Sequence, residues 1–213
     1  MSDPIRLEER DGVMVIWLDR GANALDLAAI TAFDGVVGEL AQARGAPAVV
    51  LASSHPSIFC PGLDLKALDG QPRDAIRTAM TAFNALLRRL ATYPGPAVAA
   101  VGGHALAGGC LLVLACDRRV MARSGARIGL SEVNLGFPVP AGAVTMLLAL
   151  YQTRAVEQLV LEGDGFGGER ALELGLVERL ADPPAVFADA CRLARHLASR
   201  PAGAFAAAKA FLR

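Results

Sequence analysis

Residues 96–117, PAVAAVGGHALAGGCLLVLACD, constrain this chain more than any other stretch. No Asp, Glu, Lys or Arg occurs in it before Asp117. An apolar run of alanine and valine meets Gly102 and Gly103. After a short turn, Ala107-Gly108-Gly109 opens a second run, 110–116, that is apolar on every side. The pattern predicts a buried strand, a tight glycine turn and the start of a fully buried helix. Glycine at such a junction lets backbone approach a ligand, and the free N–H groups of a helix start attract negative charge. The feature inferred is a place to hold an oxyanion, built from backbone.

Three other readings compete with it. The run is long enough to cross a bilayer, which takes roughly 20 apolar residues, but four glycines and His104 within it favour two buried elements. The spacing of Gly103 and Gly108 is that of a P-loop. Gly109 and Cys110, however, stand where Lys and Ser or Thr are required, so the phosphate reading fails. The third is plain packing of a helix on a strand around small residues, and this segment alone leaves it open.

At 213 residues the chain fits one domain with a sizeable core. Its 21 basic and 21 acidic side chains balance, so nothing draws nucleic acid or an anionic surface. Hydrophobic content of 54% with 5% aromatics, much of it alanine, suits a helical or α/β protein. The start, MSDPIRLEER, is charged and lacks the apolar core of a signal peptide, which predicts a cytoplasmic location. Cys60, Cys110, Cys116 and Cys191 show no CxxC spacing and read as reduced, buried thiols. With three scattered histidines they offer no metal site.

Two strands are expected at 5–10 and 13–19, joined at Asp11-Gly12, a strong hairpin signal. Helical periodicity covers 27–43, through Leu27, Ile30, Phe33, Val37 and Leu40. A short strand at 47–52 runs into a loop with two prolines and a glycine, ending at a short helix near Leu68. An amphipathic helix follows at 73–90, with Arg88 and Arg89 placed to suit its dipole. Beyond the central segment, strands are expected at 118–122, 127–130 and 176–180. Helices are expected at 142–150, 154–161, 169–174, 183–199 and from Pro201 to the end. Strands alternating with helices before a helical last third predict an α/β fold in one domain.

Two glycine turns follow apolar strands: Cys60-Pro61-Gly62-Leu63-Asp64 and Ala107-Gly108-Gly109. Two N–H donors aimed at one carbonyl oxygen make an oxyanion hole, and loss of one donor costs about 2.7–4 kcal/mol of barrier. An ordinary turn with Asp64 as a helix N-cap is the competing reading of the first. Glu132 lies among apolar residues ahead of Gly136 and Pro138. Desolvation there raises a carboxyl pKa and lets it both take and give a proton; a carboxylate at a helix N-terminus is the alternative. His104 has no paired Ser or Cys and reads as a turn histidine. Cys110, inside an apolar run, reads as a core thiol rather than a nucleophile.

Together these motifs resemble the crotonase (enoyl-CoA hydratase/isomerase) superfamily over nearly the whole chain. Residues 21–25, GANAL, are similar to its segment lining the CoA site; 59–66, FCPGLDLK, to its first oxyanion-hole loop; 101–117 to its second; and 132–136 to its catalytic-glutamate segment. The resemblance implies a spiral of ββα units (1–182) with C-terminal helices (183–213). It also implies assembly as a homotrimer or dimer of trimers, and no cofactor beyond the CoA carried by the substrate. It assigns the oxyanion contacts to the N–H groups of Leu63 and Gly108, with Glu132 as the acid–base group. Ala22, Ala24, Gly62, Leu63, Asp64, Leu65, Lys66 and Gly108 would bind the CoA ester, Lys66 near its phosphates or adenine.

Hydratases of this family use two glutamates, and the first falls at position 111, which is Leu111 here. One carboxylate suffices to move a double bond, so the resemblance is nearest to the Δ3,Δ2-enoyl-CoA isomerase branch of lipid metabolism. Hydration, thioester hydrolysis and simple binding of CoA esters are the alternatives. Gly102 stands where the family commonly has asparagine, and the likeness ends at Arg213, where most relatives continue into helices that often cover the acyl pocket. The apolar helix from Pro201, with Phe205 and Phe211, is expected to join 132–150 in a trimer contact.

Overall fold

The computed structural model describes residues 3–213. β1 (Ile5–Arg10) and β2 (Val13–Leu18) pair antiparallel across Asp11 and Gly12, both of which take positive φ (50° and 78°). Asp-Gly accommodates that turn, which is why the pair signals a hairpin. Asp26 then caps α1 (Leu27–Gln42) by accepting the Ala29 N–H at 2.8 Å. The helix buries Ile30, Phe33 and Val37.

The chain next builds the same unit repeatedly. β3 (Val49–Ser53) and β4 (Ile58–Cys60) are followed by α2 (Leu65–Leu68) and α3 (Arg73–Ala91). β5 (Ala97–Val101) and β6 (His104–Leu106) lead into α4 (Gly108–Ala115). β7 (Arg118–Ala122) and β8 (Ile128–Gly129) lead into a 3-10 turn (Val133–Leu135), α5 (Ala141–Leu150) and α6 (Thr153–Glu162). β9 (Gly165–Phe166), α7 (Gly168–Glu173), β10 (Arg179–Ala181), α8 (Val186–Ala198) and α9 (Ala202–Leu212) complete it. In the three units that begin at β3, β5 and β7 the first strand enters a six-stranded sheet, ordered β1-β2-β3-β5-β7-β10, which β10 also joins. The second enters a four-stranded sheet, ordered β4-β6-β8-β9. The large sheet is parallel apart from the hairpin. This is the expected spiral of ββα units.

Corners between the two sheets require small residues. A Cβ on Gly103, between β5 and β6, would lie 2.5 Å from the Ser57 carbonyl carbon. The segment 104–106, expected as a turn, is therefore a strand, and the expected loop at 53–68 contains β4. Neither β4 nor β6 exceeds three residues, too short to show a period of two. β10 begins three residues after the expected start at 176.

The central stretch divides into β5, β6 and α4, and no helix among the described residues is long and apolar enough to cross a membrane. Every side chain of α4 is buried, each leucine contributing about 1.5–3 kcal/mol through removal from water. The four cysteines are free and buried. α8 packs across β3, β5 and β7. α9 folds back onto the same core through charge: its one buried side chain is Lys209, while Phe211 and Leu212 are exposed.

Candidate active site

The first loop leaves β4 through Gly62, whose φ of 98° excludes other L residues. A Cβ there would also lie 2.7 Å from the Gly108 nitrogen. Leu25 pairs with Leu63 as an isolated bridge: the Leu25 N–H donates to the Gly62 carbonyl and the Asp64 N–H donates to the Leu25 carbonyl, both at 2.9 Å. The peptide linking Gly62 and Leu63 is planar and trans, so fixing its carbonyl on Leu25 turns the Leu63 N–H the opposite way.

The second loop enters α4 through Ala107, a non-glycine residue at φ 49°, ψ −125°. Such a conformation costs of order 1–3 kcal/mol and persists where the surroundings enforce it. Gly108 then starts the helix, so its N–H has no intrahelical acceptor. A Cβ on Gly108 would stand 3.5 Å from the Leu63 nitrogen and 3.0 Å from the Phe83 ring; one on Gly109 would overlap the Cys60 carbonyl oxygen at 2.0 Å. Three glycines thus let the two loops touch, with the Leu63 and Gly108 N–H groups beside one another. Neither donates to another backbone group among the described residues outside the regular elements.

Glu132 follows β8 and precedes the 3-10 turn, its carbonyl accepting the N–H groups of Leu135 and Phe137 at 3.0 Å. Its side chain makes no capping bond to that turn. The carboxylate oxygen Oε2 is buried with no partner. Burial holds its pKa above the ordinary 4.5, against a smaller opposing effect from the N–H groups of Glu132 and Ser131. The Ala107 N–H donates to the Gly129 carbonyl at 2.9 Å, so the end of β8, three residues before Glu132, lies beside the start of α4; burial, and then the charge of Glu132, push up the Cys110 thiol in the first turn of that helix. That turn contains no acid, and Leu111 within it is 1% exposed. Cys110 is an inert core thiol.

The other residues singled out in the sequence fall around the first loop. Ala22 is exposed and Ala24 half-buried, its carbonyl accepting Arg20 Nη2 at 3.4 Å. Leu65 and Lys66 are exposed on α2. The Asp64 carboxylate caps α2, accepting the N–H groups of Lys66 (3.0 Å) and Ala67 (3.1 Å). It is therefore engaged as the competing turn reading expects. His104 lies on β6 rather than in a turn, its N–H bonded to the Ser57 carbonyl at 2.9 Å. Sequence reasoning assigns no separate role to Phe83, to Ala107 within the second glycine turn, or to Asn23 within 21–25. Asn23 is buried at φ 61°, and its signal is the tolerance of asparagine for left-handed backbone. Two cavities, of about 570 and 510 Å³, lie elsewhere, meeting at Leu150 and Arg213. Neither is lined by Leu63, Gly108 or Glu132.

A family model for enoyl-CoA hydratase/isomerase matches residues 8–213. The short-chain-enoyl-CoA hydratase of Clostridium acetobutylicum is 30% identical over 195 residues, covering 91% of this chain and 74% of that protein. Human mitochondrial delta3-delta2-enoyl-CoA isomerase superposes with a TM-score of 0.93 at 28% identity, over 99% of this chain and 83% of that one. A Mycobacterium tuberculosis protein, described as an enoyl-CoA isomerase for one structure and as a probable enoyl-CoA hydratase for another, gives 0.91 at 31% identity in the first, over 100% of this chain and 92% of that one. The chain spans about half the length of several other curated relatives, 52% for human mitochondrial methylglutaconyl-CoA hydratase.

Proposed function

The chain belongs to the enoyl-CoA hydratase/isomerase family, and from that premise we propose that it moves the double bond of a 3-enoyl-CoA to the 2-position. The observation that carries this reading is the half-buried carboxylate of Glu132, whose Oε2 is out of contact with water and unpartnered among the described residues, near a helix that has Leu111 where the family's hydratases have a second glutamate. In this reading the thioester oxygen accepts the N–H groups of Leu63 and Gly108. Glu132 removes a C2 proton; charge moves onto the thioester oxygen as the enolate forms, and the double bond shifts. The same carboxyl group then returns the proton at C4. Acid–base work of this kind is worth typically 10²–10⁴-fold, and each oxyanion donor about 2.7–4 kcal/mol. A carboxyl whose proton affinity is raised by burial is better matched to a carbon acid.

The CoA portion would run along the first loop, against backbone at Ala22, Ala24 and residues 62–65, with the exposed Lys66 available to its phosphates. Leu135, Phe137 and Leu148, more than 45% exposed, support self-assembly as a trimer through residues 132–150 and α9. Light scattering would give three or six times 22.1 kDa if so; the mass of one chain, or of two, would rule the trimer out.

Hydration is the second reading, favoured by the name of the Clostridium relative. It needs a water oriented on one face and a proton delivered, work for which a carboxylate pair is suited. Assay of 3-enoyl-CoA beside 2-enoyl-CoA separates the two. Isomerisation of the first with little hydration of the second is expected; the reverse ratio makes the protein a hydratase, and binding without turnover of either makes it a CoA-ester binding protein.

A further inference from the structure

We propose that Asn23 is a positioning residue, holding Leu25 against Gly62 and so setting the direction of the Leu63 N–H. The proposal rests on the oxyanion reading above but not on which enoyl-CoA reaction follows.

Asn23 is a polar residue only 4% exposed. Its Oδ1 accepts the Arg20 N–H at 3.0 Å, and its Nδ2 donates to Ser53 Oγ at 2.8 Å and to the Phe59 carbonyl at 3.1 Å. Its backbone carbonyl accepts the Cys60 thiol at 3.1 Å. Ser53 closes the group by donating to the Ile58 carbonyl at 2.7 Å. One side chain therefore joins the end of β3, in the large sheet, to β4, in the small one, just before the chain enters Gly62. Both Nδ2 hydrogens and Oδ1 are occupied, which leaves no side-chain donor for substrate. Whatever Asn23 does for the reaction, it does through the loops.

The path to the N–H is short. At φ 61° Asn23 turns the chain so that Leu25, two residues on, pairs both its backbone groups with the first loop. The Gly62 carbonyl held by Leu25 lies in the same rigid plane as the Leu63 N–H. Few residues suit position 23: the left-handed conformation favours Gly, Asn or Asp, and a donor to the Phe59 carbonyl together with an acceptor for Arg20 requires an amide. Asn alone meets both conditions.

The test uses Asn23→Gly, which keeps the backbone conformation and deletes the side-chain bonds. The probe is a chromophoric cinnamoyl-CoA thioester, whose absorption moves to longer wavelength when its carbonyl is polarised. Wild-type protein is expected to bind it with a clear shift. Asn23→Gly should bind it within about three-fold as tightly yet give less than half the shift, with kcat on enoyl-CoA about ten-fold lower and KM little changed, a partial loss of one oxyanion donor. A full shift in folded Asn23→Gly overturns the proposal, even where the melting temperature has fallen. If Asn23→Gly does not fold, Ser53→Ala, which removes one Nδ2 partner, decides in its place: an intermediate shift supports the proposal and a full one overturns it. A wild-type shift without isomerase turnover defeats the proposed reaction and leaves this inference standing. Wild-type binding without a shift defeats the oxyanion role of Leu63 and this inference with it.

Discussion

Asp117 and Glu132 are both carboxylates withdrawn from water, and the fold treats them in opposite ways. Asp117 Oδ2 accepts the Ala97 N–H at 2.8 Å and Lys209 Nζ at 2.7 Å, while Oδ1 accepts Arg213 Nη2 at 3.0 Å. It ties β5, the start of β7 and α9 together. Burial pulls down the pKa of Lys209, and the attraction of Asp117 opposes this. Among the described residues Glu132 has no cation beside it, and its Oε2 has no partner at all. A carboxylate with both oxygens engaged by donors is fixed and holds structure. One left short of partners is held ready to accept a proton, and its raised pKa is the thermodynamic mark of that.

The comparison predicts separable consequences, the largest at Asp117. Asp117→Asn leaves Lys209 and Arg213 facing a neutral amide, and breaking a buried pair in this way costs about 3–5 kcal/mol. Urea unfolding should show that loss, with activity per folded molecule retained; a loss below about 1 kcal/mol, the level of a surface pair, would show that charge does not hold α9. Next in size is Gly62→Ala, on the Glu132 side of the comparison. Its Cβ meets the Gly108 nitrogen at 2.7 Å and its φ is unfavourable, so the two loops must separate. Loss of one donor predicts a fall in kcat of about 10²-fold, and full activity would mean that the contact between the loops is not part of the site.

The smallest effect is on stability against pH. The folded-state pKa of Glu132 lies above its ordinary 4.5, so its contribution to stability is fully present below the unfolded value and is lost as pH rises through the folded one. Glutamine does not titrate. The stability of Glu132→Gln relative to wild type should therefore be constant in acid, rise above pH 4.5 and level off beyond the raised pKa. Unfolding at a series of pH values would show this, and a flat difference would mean that the carboxyl is solvated. Activity should fall in acid through a pKa above 4.5, because the base must be ionised.

How much of this was legible follows physical range. The Asp-Gly hairpin, the long amphipathic helices and the two glycine loops are local patterns, and all could be read. So could the apolar setting of Glu132, which foretells desolvation. β8 falls inside the strand expected at 127–130, but β4, β6 and β9 are two or three residues each, and their pairing is made by the spiral rather than by their own periodicity. Asn23 reads as one polar residue in a turn until Ser53 and Phe59 arrive from elsewhere in the chain. Lys209 gave no hint of burial, since its partner Asp117 is 92 positions away. The apolar side chains of α9 read as a contact between chains, and Phe211 and Leu212 do lie exposed, but the charge network that seats the helix on its own core could not be read from its sequence.

The central claim is that Glu132 alone carries the proton while Asp117 carries the fold. Its most direct test is the kcat of folded Glu132→Gln on 3-enoyl-CoA, measured beside its melting temperature and its affinity for the CoA ester. The account predicts a loss of about 10²–10⁴-fold, with binding kept and the melting temperature at neutral pH no lower than wild type. A folded variant that retains most of its isomerase activity would contradict it.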